Sequence, residues 1–116
     1  FAFLYLGETD EVGHDRGWMS AEYLDCIKKA SGCIKDVVAS LPDNYSVIIT
    51  ADHGGHGRGH GEDTDEDMTI PLVALGPDFR PGTDFGRTPS IMDIAPTVTK
   101  ILGLRTPDEW EGKALF

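Results

Sequence analysis

Three stretches of this chain carry the residue types that hold divalent metal ions. They are Asp10-Glu11-Val12-Gly13-His14, Asp52-His53-Gly54 and His60-Gly61. Carboxylate oxygen and imidazole nitrogen are good donors for Zn²⁺ or Mn²⁺. Two such ions a few ångströms apart can clamp the attacking and leaving oxygens of a phosphoryl transfer. Asp10, His14, Asp52, His53 and His60 are therefore the candidate metal ligands. They cannot by themselves complete the coordination of two ions, so water, phosphate or further protein groups must fill the remainder. His53, His56 and His60 share one Gly-rich tract, and not all three need be ligands. His60, followed by Gly61, is the preferred ligand, and His56 is expected to hydrogen-bond a ligand or face the substrate. Taken singly, each stretch also reads as solvated loop residues or a strand-end turn; their coincidence is what points to a site.

The elements that must position these residues follow from the apolar pattern. Phe1-Ala2-Phe3-Leu4-Tyr5-Leu6 is an unbroken apolar run, the signature of a strand buried on both faces. Ser46-Val47-Ile48-Ile49-Thr50-Ala51 is a second such run, and Ile70-Pro71-Leu72-Val73-Ala74-Leu75 a third. Pro71 stands near its start, where a missing N–H is tolerated. Between the first two runs, Leu24, Ile27, Ala30, Ile34, Val38 and Leu41 repeat at helical spacing. Ser20 is the expected cap of that helix, with Met19 and Leu24 as a hydrophobic staple, and Pro42 ends it. A second helix is expected from about Asp93 to Leu102, capped by Asp93, with Pro96 in its first turn. Gly7, Gly13 and Gly17 make the Asp10–His14 stretch read as loop rather than helix. Trp110 and Phe116 are expected to pack down the C-terminal tail.

This alternation predicts an α/β fold with a largely parallel sheet and flanking helices. The ligands then lie at the C-terminal ends of the first two strands, where open α/β sheets place their sites.

Composition narrows the partners. At 116 residues the chain fits one small domain, and its hydrophobic content of 40% excludes a disordered one. The formal net charge of −10 argues against nucleic-acid backbone as a partner, which would need clustered Lys and Arg. The run Glu62-Asp63-Thr64-Asp65-Glu66-Asp67 reads first as a solvated loop and second as an extra cation site. Cys26 and Cys33 fall in one helix, roughly 10.5 Å apart along its axis, too far for a mutual disulfide, so both are expected as free thiols. Neither identifies a compartment. No membrane segment or leader is visible, and the opening at Phe1 looks like a cut, so localisation stays open.

The ordered set Asp10-Glu11-Val12-Gly13-His14-Asp15-Arg16-Gly17, Thr50-Ala51-Asp52-His53-Gly54-Gly55 and Gly59-His60-Gly61 resembles the C-terminal part of the alkaline phosphatase superfamily. Met68-Thr69-Ile70-Pro71-Leu72 with Gly76-Pro77, and Asp93-Ile94-Ala95-Pro96-Thr97, extend the likeness over nearly the whole chain. Within the superfamily, type I phosphodiesterases, nucleotide pyrophosphatases and sulfatase-like members look most similar. The resemblance implies that residues 1–116 are the C-terminal portion of a single alkaline-phosphatase-like metal-dependent hydrolase domain. It implies one ion on Asp10, His14 and His60 and a second on Asp52 and His53, with Zn or Mn as the metals. It further implies a small phosphate-ester substrate and an upstream Ser or Thr nucleophile in an N-terminal half of the same domain. Thr9 and Ser20 are poor substitutes for that hydroxyl, so no catalytic residue is assigned within the chain, and the chain alone should lack turnover. Sulfatases, phosphoglycerate mutases and phosphoethanolamine transferases share this framework and remain alternatives, as does a non-catalytic metal-binding fragment.

Overall fold

The computed structural model describes residues 1–82, 85 and 87–116. The chain forms two compact units, Phe1–Pro42 with Ile49–Val73, and Asp43–Ile48 with Ala74–Phe116.

In the first unit the opening helix, α1, spans Glu8–Arg16. The stretch expected to be a loop is thus helical, and the reason lies in its charges. Glu8, Asp10 and Glu11 occupy the first turn, and His14 and Arg16 the last, which complements the helix dipole at both ends. Gly7 and Gly17 bound the helix, and Gly17 (φ 98°) takes a backbone conformation that side-chain-bearing residues rarely adopt. Asp10 and His14 therefore sit on one helix face, four residues apart.

The long helix α2 spans Ala21–Ser40, with Ser20 as its cap accepting from Tyr23 N–H at 3.2 Å. Such a cap stabilises a helix by about 1 kcal/mol. α2 packs against α1 and buries Cys26, whereas Cys33 is exposed; both are free thiols. Burial, then the charge of Glu8, pushes the Cys26 thiol up, which makes it inert. Met19 and Leu24 both stay exposed, so the expected staple buries neither.

The strands are β1 (Val47–Thr50) and β2 (Leu72–Leu75), which pair as an antiparallel ribbon. The expected parallel sheet is not seen among the described residues. The residues between the strands show why. After β1 the chain doubles back at once: Gly54 N–H bonds Asp67 C=O at 2.7 Å, and Gly55 N–H bonds Glu66 C=O at 2.9 Å. A one-turn helix, α3 (Asp65–Met68), is the helix of this intervening segment and feeds β2, so the segment folds back on itself rather than carrying a long crossover helix. Phe1–Leu6 forms no strand, and Phe1 and Tyr5 are 87% and 73% exposed. A strand of the buried type needs neighbours on both edges and layers on both faces, and the described residues place none there.

In the second unit, α4 spans Ile94–Ile101, with Pro96 in its first turn. Its approach is a 3₁₀ turn, Ile91–Asp93, and the capping residue is Ser90 rather than Asp93. Ser90 Oγ accepts from Met92 N–H at 3.3 Å, and Asp93 Oδ2 accepts from Ser90 N–H at 2.7 Å. Asp93 is instead a buried hub, 2% exposed. It also accepts from Arg87 at 2.6 Å and from Lys113 N–H at 2.8 Å. The guanidinium and these N–H groups hold its carboxyl at about 2. The tail is packed down by Leu115, which is buried, and by Phe116, edge-on to Phe79 and under the Lys100 ammonium. Trp110 remains partly exposed. No helix among the described residues is long and apolar enough to cross a membrane.

Candidate metal centre

All the candidate ligands belong to the first unit. Helix α1 supplies Asp10 and His14, and the loop after β1 supplies Asp52, His53 and His60.

Asp10 is the centre of the cluster. Its Oδ1 lies 3.5 Å from His14 Nε2, 3.6 Å from His60 Nε2 and 3.8 Å from His53 Nε2. Four donors around a tetrahedral Zn²⁺ at about 2.0–2.1 Å would stand roughly 3.3–3.4 Å from one another. The three spacings from Asp10 are close to that and too long for direct hydrogen bonds. Donor atoms of Asp10, His53 and His60 all lie within 4.8 Å of one another. Asp10 Oδ1 is buried and has no hydrogen-bond partner. A buried carboxylate oxygen without a partner is costly. A cation held with His53 and His60 would satisfy it; His14, 3.5 Å from Asp10, falls outside that mutually close set.

The imidazoles are oriented for that role. His14 Nδ1 bonds Arg58 C=O at 3.0 Å, and His53 Nδ1 bonds Gly54 C=O at 2.7 Å. A carbonyl can only accept, so each Nδ1 carries the proton and each Nε2 presents its lone pair toward Asp10. His60 is held by its ring instead, stacked on His53 with centroids 3.7 Å apart.

Asp52 does not converge with the others. Its side chain is 75% exposed, with Oδ1 accepting from His53 N–H at 3.1 Å and Oδ2 3.7 Å from His53 Nε2. His53 thus stands between Asp52 and the Asp10 cluster. His56 engages other carboxylates: its Nδ1 bonds Asp67 Oδ1 at 2.8 Å, and its Nε2 lies 3.9 Å from Glu62. The acidic run is also not wholly solvated, because Asp67 within it is buried at 3% exposure. The hydrogen bond to Asp67 raises the His56 pKa, and the same bond lowers that of Asp67.

Trp18 is a site residue that the spacing of ligands does not reveal. Its ring lies against the backbones of Gly13 and Gly55, where an added Cβ would come within 2.8 and 2.3 Å of it. It meets the His14 ring edge-on at 5.1 Å and the His60 ring at 5.8 Å, with Tyr23 beyond at 6.0 Å. Trp18 N–H bonds Gly57 C=O at 2.8 Å. Trp18 is thereby a wall against which two of the imidazoles rest.

The metalloenzyme superfamily description matches residues 1–106, and the chain belongs to that alkaline-phosphatase-like superfamily. The chain is 34% identical over 116 residues to a 2,3-bisphosphoglycerate-independent phosphoglycerate mutase of Rhodopirellula baltica, covering 92% of this chain and 20% of that protein. It is 30% identical over 122 residues to the enzyme of the same name from Bacteroides thetaiotaomicron, covering 100% of this chain and 23% of that one. A phosphopentomutase of Herpetosiphon aurantiacus is 29% identical over 107 residues, covering 92% and 25%. The chain therefore spans a fifth to a quarter of the length of these relatives. No solved structure matches it.

Proposed function

We propose that this chain is the metal-ligating part of a two-metal phosphoryl-transfer enzyme, and that the parent protein is a phosphomutase acting on a small phosphorylated metabolite such as a phosphoglycerate. The observation that carries the metal reading is the unpartnered Asp10 Oδ1, ringed by the Nε2 atoms of His14, His53 and His60. The relatives, all mutases by name, favour phosphomutase over the phosphodiesterase or pyrophosphatase expected from the motifs.

In this reading Asp10, His14 and His60 would hold one ion and Asp52 and His53 the other, with His53 Nε2 given to Asp52 rather than to Asp10, and Zn²⁺ or Mn²⁺ are the fitting metals. When bound, such ions supply the positive charge that polarises a phosphoryl oxygen. The chain's own residues do the positioning. Arg58 and Gly54 carbonyls fix the tautomers of His14 and His53, and Trp18 braces the rings of His14 and His60. His53 Nε2 lies 3.8 Å from Asp10 Oδ1 and 3.7 Å from Asp52 Oδ2. The attacking hydroxyl belongs to another part of the parent. Thr9 Oγ1 is engaged with Leu6 C=O at 3.5 Å and Ser20 Oγ with Tyr23 N–H at 3.2 Å. The exposure of the apolar run Phe1–Leu6 supports the same division of labour, as a surface that the remainder of the domain would cover.

Calorimetric titration with Zn²⁺ and Mn²⁺ tests the metal reading: Asp10→Asn and His60→Ala should each weaken binding at least tenfold. Assay of the parent for phosphoglycerate isomerisation, beside hydrolysis of a chromogenic phosphodiester, tests the reaction. Phosphodiester turnover without isomerisation would overturn the mutase assignment.

A further inference from the structure

The loop that carries His53 and His60 contains Gly54, Gly55, Gly57, Gly59 and Gly61. Fixing a backbone residue costs about 1–2 kcal/mol of conformational entropy, and glycine loses most. Such a loop does not present two ligands to Asp10 unless it is tied at several points. Some ties come from α1 and its C-terminal flank, through Arg58 C=O to His14 and Gly57 C=O to Trp18. Within the loop, His56 and Gly59 exchange N–H···O bonds of 3.0 Å, which closes a tight turn just before His60.

The remaining ties converge on Asp67. Its Oδ1 accepts from His56 Nδ1 at 2.8 Å, and its Oδ2 accepts from Glu62 N–H at 2.8 Å. One carboxylate thus grips the chain on both sides of His60. Its backbone carbonyl also takes Gly54 N–H, next to His53. Asp67 is placed for this by α3, whose cap Thr64 accepts from Asp67 N–H at 3.4 Å. At 3% exposure, a carboxylate that did nothing else would be a poor choice for this position.

We propose that Asp67 is a positioning residue for the metal centre: acting through His56 and the Glu62 amide, it fixes the His56–Glu62 segment so that His60 Nε2 faces Asp10. The proposal rests on the metal-centre reading above. Asp67 touches neither metal nor substrate; it acts through the loop.

The test uses the full chain, with Zn²⁺ as probe and histidine-selective NMR on the metal-free protein. Stacking on His53 and the nearby Trp18 edge give the His60 ring protons ring-current shifts. Asp67→Ala and His56→Ala should return those shifts toward free-histidine values and weaken Zn²⁺ affinity roughly 10–100-fold, the usual effect of losing a group that orients a ligand. His56→Asn, whose amide nitrogen can stand where Nδ1 stands, should recover most of both. If Asp67→Ala fails to fold, His56→Ala carries the test, since it removes one arm at an exposed side chain. Unmoved His60 shifts and wild-type Zn²⁺ affinity in the folded variants would overturn the proposal, as would His56→Asn behaving like His56→Ala. Undiminished Zn²⁺ affinity in Asp10→Asn and His60→Ala would instead overturn the metal centre itself, and the His60 shifts would still report whether Asp67 sets the loop.

Discussion

Gly13 lies inside α1, where alanine is ordinarily the better residue by about 1 kcal/mol. Gly13→Ala should nevertheless destabilise this protein. A Cβ at Gly13 would stand 2.8 Å from Cε2, Cζ2 and Cη2 of Trp18, well inside ordinary contact. The indole cannot retreat, because its other side is pressed on Gly55, where a Cβ would meet Cε2 at 2.3 Å. Its backbone is pinned as well, through Trp18 N–H to Gly57 C=O. Overpacking of this kind costs typically 1–3 kcal/mol. Against a helix gain of about 1 kcal/mol, the net is a loss of about 1 kcal/mol.

The sign should reverse when the indole is removed. In a Trp18→Ala background the clash is gone and only the helix gain remains, so Gly13→Ala should stabilise by about 1 kcal/mol. The coupling between the two sites is then about 2 kcal/mol, within the range found for residues in contact. Urea unfolding of the four proteins, followed by far-UV circular dichroism, measures it. A Gly13→Ala variant that is stabilised equally in both backgrounds would show that Trp18 is not clamped between the glycines.

Other consequences can be checked on the same chain. His56 has its pKa raised from 6.5 by Asp67 foremost, aided by the charges of Glu62 and Glu66, and Asp67 has its own lowered from 3.8 by His56 foremost. The His56 contribution is full below pH 6.5 and lost as pH rises through the raised value; the Asp67 contribution is present above 3.8 and lost as pH falls. The stability difference between wild type and His56→Ala should therefore peak between pH 3.8 and 6.5, as unfolding across a pH series would show. Asp93, with its carboxyl at about 2 against an ordinary 3.8, should hold its contribution above pH 3.8 and lose it as pH falls through about 2, and Asp93→Asn should remove this acid-dependent step. Ser90→Ala should cost about 1 kcal/mol by loss of the cap, whereas an Ala at Asp93 should cost more than a cap, because it strands Arg87 and two backbone amides.

What could be read from the sequence was whatever depends on local pattern. The α2 helix follows from its apolar repeat, and Ser20 caps it as expected. The cores of β1 and β2 fall inside the β-branched runs. The Asp10 helix was hidden because three glycines look like a loop. Two of them only bound the helix, and the third is demanded by Trp18, a contact with no local signature. The charge order along Glu8–Arg16 was the signal that could have revealed it. Asp67 was hidden inside a charge run, although Thr64 three residues earlier is a capping pattern that marks a helix start and an ordered carboxylate. Strand direction was not legible, because it depends on how Gly54 and Gly55 fold back onto Glu66 and Asp67.

The chain's charge of −10 would by itself repel a phosphate ester. The composition of the cluster shows how the site escapes that field. Asp10, His14, His53 and His60 bring one carboxylate and three imidazoles, whose Nε2 atoms point inward. A divalent ion among them would keep a net positive charge, which a carboxylate-rich set would cancel. Asp67 lies in the same unit, but its two oxygens are engaged by His56 and by Glu62 N–H rather than by the cluster. Asp52, mostly exposed, is a second carboxylate close to the cluster. Local charge rather than net charge thus decides whether a phosphoryl group is attracted.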